Sequence, residues 1–480
     1  MPFPFTLSTT SHLSFQNNFT SSTHPSLPTA ATQQRNLLRS TLKTFKRLPS
    51  QDQSTQLGEV VSALEGYLKY LSSLDISLSG RPLAGEDVDL ALVQEVEVEW
   101  RPTLAASSVP GREVERVRGR GLDYDFFFIH HTYALTYNLL ARQALIGLYA
   151  PTVPTSEQRL GLIQTATKHI KTAYTIHSFL LAHATFSDDG PPVFPPAAVD
   201  ISTNTQTALQ RLCQAECNLL TALKDDPYPA ILVQARNELD RDWMIKAPDI
   251  PKTRVQVLTR LSIGASEQCA AARSLLSTPD RRVSRDLAEY IDDLRLTARA
   301  RACRLQALDA DTHGQTGTAI AWLHAGLHTL GVEISAKLGS SKPSGLSRLK
   351  ASIHEKREDK KIARGSGSWG ADAGRAEEAR ILEYLERKFV RANDALHFQK
   401  VPEFRGLVGT LPGGMNVPLG QERWVPLVLA EEELLIMRAP PDDEVMAQDS
   451  SGDEAPARMG VGSPAGAFPG SENEYKVSYY

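Results

Sequence analysis

The sequence has few of the features that mark secreted, membrane-spanning or nucleic-acid-binding proteins. Its 480 residues include only four cysteines, too few and too irregularly spaced for a disulfide framework. No apolar run reaches the roughly 20 residues that cross a bilayer, and no charged segment followed by an apolar core marks a secretory signal. The formal net charge of -4 gives no basic bias of the kind that nucleic-acid binders show. These absences predict a cytoplasmic protein with no nucleic-acid partner.

Acidic residues are missing from the first fifty residues, which end in a basic segment. The bases are Arg35, Arg39, Lys43, Lys46 and Arg47. This composition is similar to that of a mitochondrial transit peptide. The bases come late, however, and the proline-bounded residues 2–15 favour extended structure, so we favour a folded N-terminal part over a transit peptide.

Motifs that carry catalysis are also missing. The segment 339–343 (GSSKP) lacks the second glycine of a phosphate-binding loop and has proline where Ser or Thr is needed. There is no Gly-x-Ser-x-Gly nucleophile motif. We therefore predict no catalytic residues, no cofactor and no enzyme activity.

Cysteine and histidine pairs raise the possibility of a metal site. Cys213 and Cys217 share a helix face, but no second pair has the spacing of a four-ligand zinc site. His130 and His131 are neighbours that point to different faces of a helix, and no Glu-x-x-His pattern accompanies them. We therefore predict no metal site, with all four cysteines (Cys213, Cys217, Cys269 and Cys303) packed among apolar neighbours and the histidines partly buried.

What the sequence does contain is long segments with helical periodicity, and its 41% hydrophobic residues suffice for a large core. Helices are predicted at about 32–48, 57–74, 125–149, 156–184, 203–225, 252–277, 281–312, 315–338 and 375–397. Residues 3–15 and the alternating 95–100 (EVEVEW) are typical of short strands, the second of them exposed. No strict repeat is present, but helix pairs of this length stack as hairpins. The prediction is an all-α solenoid with a small N-terminal sheet.

Polar segments interrupt and follow the helices. Residues 339–375 form a polar loop whose basic part, 342–364, could touch an anionic membrane but is typical of a solvated helix face. Residues 406–440 are rich in Gly and Pro, which predicts an extended C-terminal segment. The tail, 441–480, carries eight acids against Arg458 and Lys476, a composition typical of disorder.

Four strings resemble the Bro domain of Alix-type ESCRT adaptors, and they occur in that family's order. They are residues 137–141 (YNLLA), 212–216 (LCQAE), 319–323 (AIAWL) and 393–402 (NDALHFQKVP). The resemblance covers about residues 1–405, which would be the Bro domain. Within the family, the opening MPFPFTL and residues 97–103 (EVEWRPT) are similar to the branch that regulates fungal ambient-pH signalling.

The resemblance implies a function as well as a fold. It implies a curved helical solenoid that binds the C-terminal amphipathic helix of the main ESCRT-III filament subunit. It also implies a link to the alkaline-pH receptor complex, with recruitment of this cytoplasmic protein to the plasma membrane or endosome surface. Signalling would lead to proteolysis of a transcription factor by a separate protease.

Three residues match the family's partner contacts: Leu219, Val257 and Leu261. Helix-in-groove recognition requires that such side chains be exposed on a rigid helical face. The alternative interpretation is that they fill the core. A second hypothesis for the whole chain is a helical scaffold without a pH-signalling role, which docks through its acidic tail.

Overall fold

Eleven α-helices account for most of the described part of the chain in a computed structural model. It describes residues 2–107, 113–149, 154–185, 192–235, 252–277, 283–332, 369–419 and 423–440. The helices are α1 (Leu27–Arg47), α2 (Ser50–Leu78), α3 (Leu122–Ile146), α4 (Ser156–Thr185), α5 (Thr203–Asp225), α6 (Tyr228–Ala235), α7 (Lys252–Leu276), α8 (Arg285–Thr312), α9 (Thr316–Thr329), α10 (Arg375–Ala392) and α11 (Glu431–Met437). None of these helices combines the length and the apolar composition that a membrane span requires.

The predicted all-α fold with a small N-terminal sheet is confirmed. Each long helix packs on the next along the chain from α1 to α5, then α5 on α7, α7 on α8 and α8 on α9, while α10 packs on α8 and α9. This is the neighbour-on-neighbour packing of a helical solenoid. The compact unit extends to Arg438. Most of the predicted polar loop, 339–368, and the tail 441–480 lie outside the described residues.

Several helix predictions differ from the structure, and α2 begins at Ser50 rather than at about residue 57. Helix α6 was not predicted, because Pro227 and Pro229 indicate a break, although proline is tolerated in a helix's first turn. Helix α9 was expected to reach residue 338, but it ends at Thr329, and Gly331 then adopts a positive φ of 71°. Helix α11 lies in the segment that was predicted to be extended throughout.

Within the described residues, five short strands form two antiparallel sheets. Strands β1 (Thr9–Thr10), β4 (Glu97–Arg101) and β5 (Val117–Arg120) form one sheet in the order β1-β4-β5. Strands β2 (Phe19–Thr20) and β3 (Ala91–Leu92) form the other. Within residues 3–15, where the sequence predicted a strand, β1 is confined to Thr9–Thr10.

Strand β4 is the central strand of its sheet and is exposed on one face only. Its residues Val98 and Trp100 are buried, and the Trp100 ring stacks on Phe128 of α3 with centroids 5.2 Å apart. The expectation of an exposed strand is therefore wrong, because the alternation places Val98 and Trp100 together on a face that α3 covers.

A buried carboxylate joins the sheet to the first three helices. Asp125 on α3 accepts hydrogen bonds from Arg35 (2.9 and 3.1 Å), from the Tyr67 hydroxyl (2.6 Å) and from the Trp100 indole (2.7 Å). Both charged side chains are fully buried. Because a buried charge is costly without partners, this network fixes α1, α2, α3 and β4 relative to one another.

A second buried network holds the later helices. Arg304 on α8 bonds to Asp226 (2.5 and 3.1 Å) and to Glu378 on α10 (2.5 Å), and Arg301 also bonds to Glu378 (3.1 Å). Asp226, which directly follows α5, therefore links α5 to α8. Glu378 links α10 to α8 through the same arginine, Arg304.

Candidate protein-binding site

The three residues that match the family's contacts do not share one environment. Leu219 on α5 and Leu261 on α7 are buried, with 1% and 3% of their surface exposed. Val257, one turn before Leu261 on α7, is 43% exposed. The expected arrangement, with all three side chains on an open face, is therefore not found: only Val257 presents its side chain to solvent in this conformation.

A segment of the same chain lies across α5 and α7. We call residues 411–419 and 423–429 the C-terminal strap. On α7, the backbone nitrogen of Met415 donates to the carbonyl oxygen of Arg260 (2.9 Å), and the nitrogen of Gly414 donates to a carboxylate oxygen of Glu267 (3.2 Å). Backbone N–H groups of the extended strap therefore find their hydrogen-bond acceptors on the surface of α7.

Two amide side chains of α5 hold the next part of the strap. Gln214 donates to the carbonyl oxygen of Val417 at 2.9 Å. Asn218 accepts from the backbone nitrogen of Val417 (2.9 Å) and donates to the side-chain oxygen of Asn416 (2.8 Å). Both amide side chains are buried, so these bonds are formed away from water.

Glycine at position 264 makes this close approach possible. A Cβ atom at Gly264 would overlap the carbonyl group of Met415, and one at Gly414 would lie 2.7 Å from the Gly264 backbone. A glycine inside a helix normally weakens it. Here the missing side chain lets the strap backbone lie directly on α7.

The strap then borders a furrow beside α4. This furrow has a volume of about 480 Å³ and combines basic and apolar side chains. Lys168 and Lys171 of α4 and Arg423 of the strap are its basic residues, and Leu419, Trp424 and Val425 are apolar. Val425 is 73% exposed, while the Trp424 ring is fixed edge-on against Phe179 at 4.8 Å. The furrow therefore offers a rigid aromatic wall and a positive rim.

Beyond the furrow the strap crosses the first helices. Leu429 is buried, and its backbone nitrogen donates to the Ser73 hydroxyl of α2 at 3.0 Å. Lys69 forms an ion pair with Glu433 of α11 at 3.4 Å, and the Ser26 hydroxyl donates to the carbonyl oxygen of Met437 at 3.2 Å. The chain therefore spans the array from α7 back to the start of α1.

The four cysteines are all buried and free, as their apolar surroundings predicted. Burial raises the pKa of the Cys217 and Cys303 thiols to about 12. A nucleophilic cysteine needs a lowered pKa and access to solvent. These thiols are therefore packing residues in the described structure.

Three histidines are more deeply buried than the partial burial that the sequence predicted. His130, His131 and His177 are buried, and burial lowers the pKa of His130 to about 3 and that of His177 to about 4. Gln206 lies between two of the rings, 3.0 Å from Nδ1 of His131 and 2.7 Å from Nδ1 of His177. This neutral network joins α3, α4 and α5.

One group with metal-ligand chemistry was not singled out from the sequence. Asp75, Asp123 and His183 come from three different helices and bring their ligand atoms within 4.8 Å of one another. All three are partly exposed, and acid–histidine groups of this kind are common on protein surfaces without an ion. We assign no metal to them.

The fold and this site define a class: a stack of helical hairpins that holds an extended peptide, its own strap, in a groove between helices. No protein-family model matches the chain. It is 41% identical, over 509 aligned residues, to the pH-response regulator protein palC of Emericella nidulans (strain FGSC A4), covering 99% of this chain and all of that protein. The chain belongs to the family of this pH-response regulator.

Two solved Bro-domain structures are more distant. A complex of the ALIX BRO1 domain with CHMP4C has a TM-score of 0.47 at 14% identity, covering 89% of this chain and 95% of that one. A Bro1 domain described in terms of endosomal targeting has a TM-score of 0.46 at 13% identity, covering 94% and 98%. Likeness at this level carries no conclusion about binding by this chain.

Proposed function

We propose that the protein is a non-enzymatic adaptor that binds the C-terminal amphipathic helix of the main ESCRT-III filament subunit. It would thereby couple the alkaline-pH receptor complex at the plasma membrane to processing of a PacC-type transcription factor. Two observations support this function: membership of the pH-response regulator family over nearly the whole chain, and the Bro-domain strings of the sequence. The protein would act in the cytoplasm and be recruited to the plasma membrane or to endosomes.

The observation that carries the proposal is the furrow between α4 and the strap. An amphipathic helix presents an apolar stripe flanked by charged residues. Trp424 and Val425 offer an apolar surface to such a stripe, and Lys168 and Lys171 offer positive charge beside it. Bound aromatic and aliphatic anchors of this kind supply most of the energy of protein–protein contacts. The furrow therefore suits an amphipathic helix with acidic flanks.

Leu219, Val257 and Leu261 remain proposed contacts, with roles that burial now separates. Val257 is available to a partner directly. Leu219 and Leu261 are buried, so they would shape the groove from within or would be reached only after the strap moved. An Asp substitution at Leu219 would place a charge in the core and would test folding rather than binding. Val257→Asp is therefore the informative change.

The test is a pull-down with the isolated C-terminal helix of the ESCRT-III subunit. We expect the full chain to retain the peptide and Val257→Asp to retain markedly less, at unchanged helical content by circular dichroism. A matched control is Val193→Asp, since Val193 is 95% exposed and lies away from α7 in the sequence. Failure of the unmodified protein to retain the peptide would reject the proposed partner.

The alternative function is a general helical scaffold in endosomal sorting, without a role in pH signalling. If docking depends on the acidic tail, deletion of residues 441–480 should abolish capture of the partner. The proposed adaptor should keep its affinity for the ESCRT-III helix after that deletion, because the furrow and Val257 lie before residue 441.

A further inference from the structure

The outer face of α1 carries bases but no acids. Arg39, Lys43 and Arg47 are four residues apart and therefore lie along one edge of the helix. The first acidic residue of the whole sequence is Asp52, in α2. An exposed helix normally mixes both signs of charge, which makes this one-sided surface a feature that needs an explanation.

The packing of α1 fixes these bases in place. Leu38, Leu42 and Phe45 are buried on the inner face, and Arg35 on that face is neutralised by Asp125. The inward base Arg35 thus stabilises the fold, whereas Arg39, Lys43 and Arg47 have no such partner among the described residues.

Arg116, just before β5, brings a fourth charge to the same surface. Partial desolvation, together with the positive charges of Arg39, Arg116 and Arg47, lowers the pKa of Lys43. Desolvation and the charges of Arg101 and Arg39 likewise lower the pKa of Arg116, and they outweigh the opposite effect of Glu99. The side chains are therefore close enough to repel one another, which costs free energy unless an anion is present.

The acids closest to this group form their ion pairs with other bases. Glu113 pairs with Lys46 (2.5 Å) and with Arg101 instead. In the part of the chain that the structure describes, no carboxylate is within ion-pair distance of Arg39, Lys43, Arg47 or Arg116. The Nε atoms of Arg39 and Arg116 are shielded from water and have no hydrogen-bond acceptor.

We propose that this surface, formed by Arg39, Lys43, Arg47 and Arg116, binds the anionic phospholipid headgroups of a membrane. Guanidinium groups match phosphate oxygens geometrically, and clustered bases are attracted to anionic leaflets. The protein as a whole is negative, so the attraction would orient it with α1 toward the bilayer.

This inference extends the proposed function, because an adaptor in receptor signalling must reach a membrane. The test is co-sedimentation of the full chain with phosphatidylcholine vesicles, with and without about 20% phosphatidylserine. We expect binding to the anionic vesicles only, and its loss when salt is raised from about 0.1 M to about 0.5 M. Arg39→Glu/Lys43→Glu should weaken binding at least about tenfold.

The matched control is Lys224→Glu/Arg285→Glu, which changes the net charge equally at two exposed positions on α5 and α8. It should bind almost as the unmodified protein does. If the α1 double variant fails to fold, Arg47→Glu, at an exposed position, serves as the second variant. Equal losses in the α1 and control variants, or equal binding to both vesicle types, would overturn the proposal, as would tighter binding to an RNA oligonucleotide than to the vesicles.

The two proposals can fail separately. Binding of the ESCRT-III helix in solution requires no vesicle, so Arg39→Glu/Lys43→Glu should leave the pull-down unchanged. Loss of peptide capture in that variant at unchanged circular dichroism would contradict the assignment of this surface to lipid.

Discussion

Asn218 of α5 binds Val417 of the strap through its side-chain oxygen, which accepts the backbone N–H of Val417 at 2.9 Å. The amide nitrogen of the same side chain donates to Asn416 at 2.8 Å. One buried side chain thus fixes two consecutive strap residues at the groove between α5 and α7. The groove beside the predicted contact residues is therefore already occupied by the protein's own C-terminal segment.

Gly264→Val should dislodge this segment. The new side chain would overlap Met415, so the strap must leave α7 or α7 must shift. We expect a loss of about 1–3 kcal/mol in the free energy of unfolding and faster proteolysis within residues 411–419. Gly161→Val is the control, since a Cβ there meets nothing within 4 Å. Equal protease resistance in Gly264→Val and the unmodified protein would show that the strap does not depend on this contact.

Asp125→Asn should be among the most destabilising single changes in the N-terminal half. It removes the charge that balances Arg35 while Tyr67 and Trp100 still need an acceptor. Breaking a buried pair in this way costs about 3–5 kcal/mol. Urea unfolding followed by circular dichroism measures the loss, and Asp52→Asn, at an exposed position of α2, should change it little. A loss below about 1 kcal/mol in Asp125→Asn would contradict the structural role given to this network.

Glu216 should make stability fall with rising pH. Burial raises the pKa of this carboxyl to about 7 in the folded protein, from an ordinary value of 4.5, and Tyr290 donates to it at 2.8 Å. Between about pH 4.5 and 7 the unfolded chain has lost this proton while the folded chain keeps it, so unfolding releases a proton and stability declines across that window.

Glu216→Gln removes this dependence, because glutamine resembles the protonated carboxyl and still accepts from Tyr290. The variant should match the unmodified protein near pH 4.5 and exceed its stability at pH 8 by up to about 3 kcal/mol. Thermal unfolding across this pH range measures the difference, with the exposed Glu289→Gln as control. Parallel pH curves for Glu216→Gln and the unmodified protein would contradict the raised pKa.

The helices were predictable because their periodicity is local, but the burial of single residues was not. Every residue from Leu212 to Leu220 is buried, so the apolar pattern of α5 cannot tell which of its leucines faces a partner. The strap has no periodicity at all, and its contacts join residues that are 147 to 356 positions apart. The sequence signals for it were a glycine inside α7, Gly264, and a polar Asn218 in an apolar run. Such signals acquire meaning only once the partner segment is known.

The most direct test of the account is the affinity of the full chain for a fluorescent peptide of the ESCRT-III C-terminal helix, measured by anisotropy. We predict saturable binding that Lys168→Glu/Lys171→Glu weakens at least about tenfold, since both lysines border the furrow. The equally charged Lys224→Glu/Arg285→Glu should bind as the unmodified protein does. Absence of binding by the unmodified protein, or equal affinities for the furrow variant and the control, would contradict the proposal that this furrow receives an amphipathic helix.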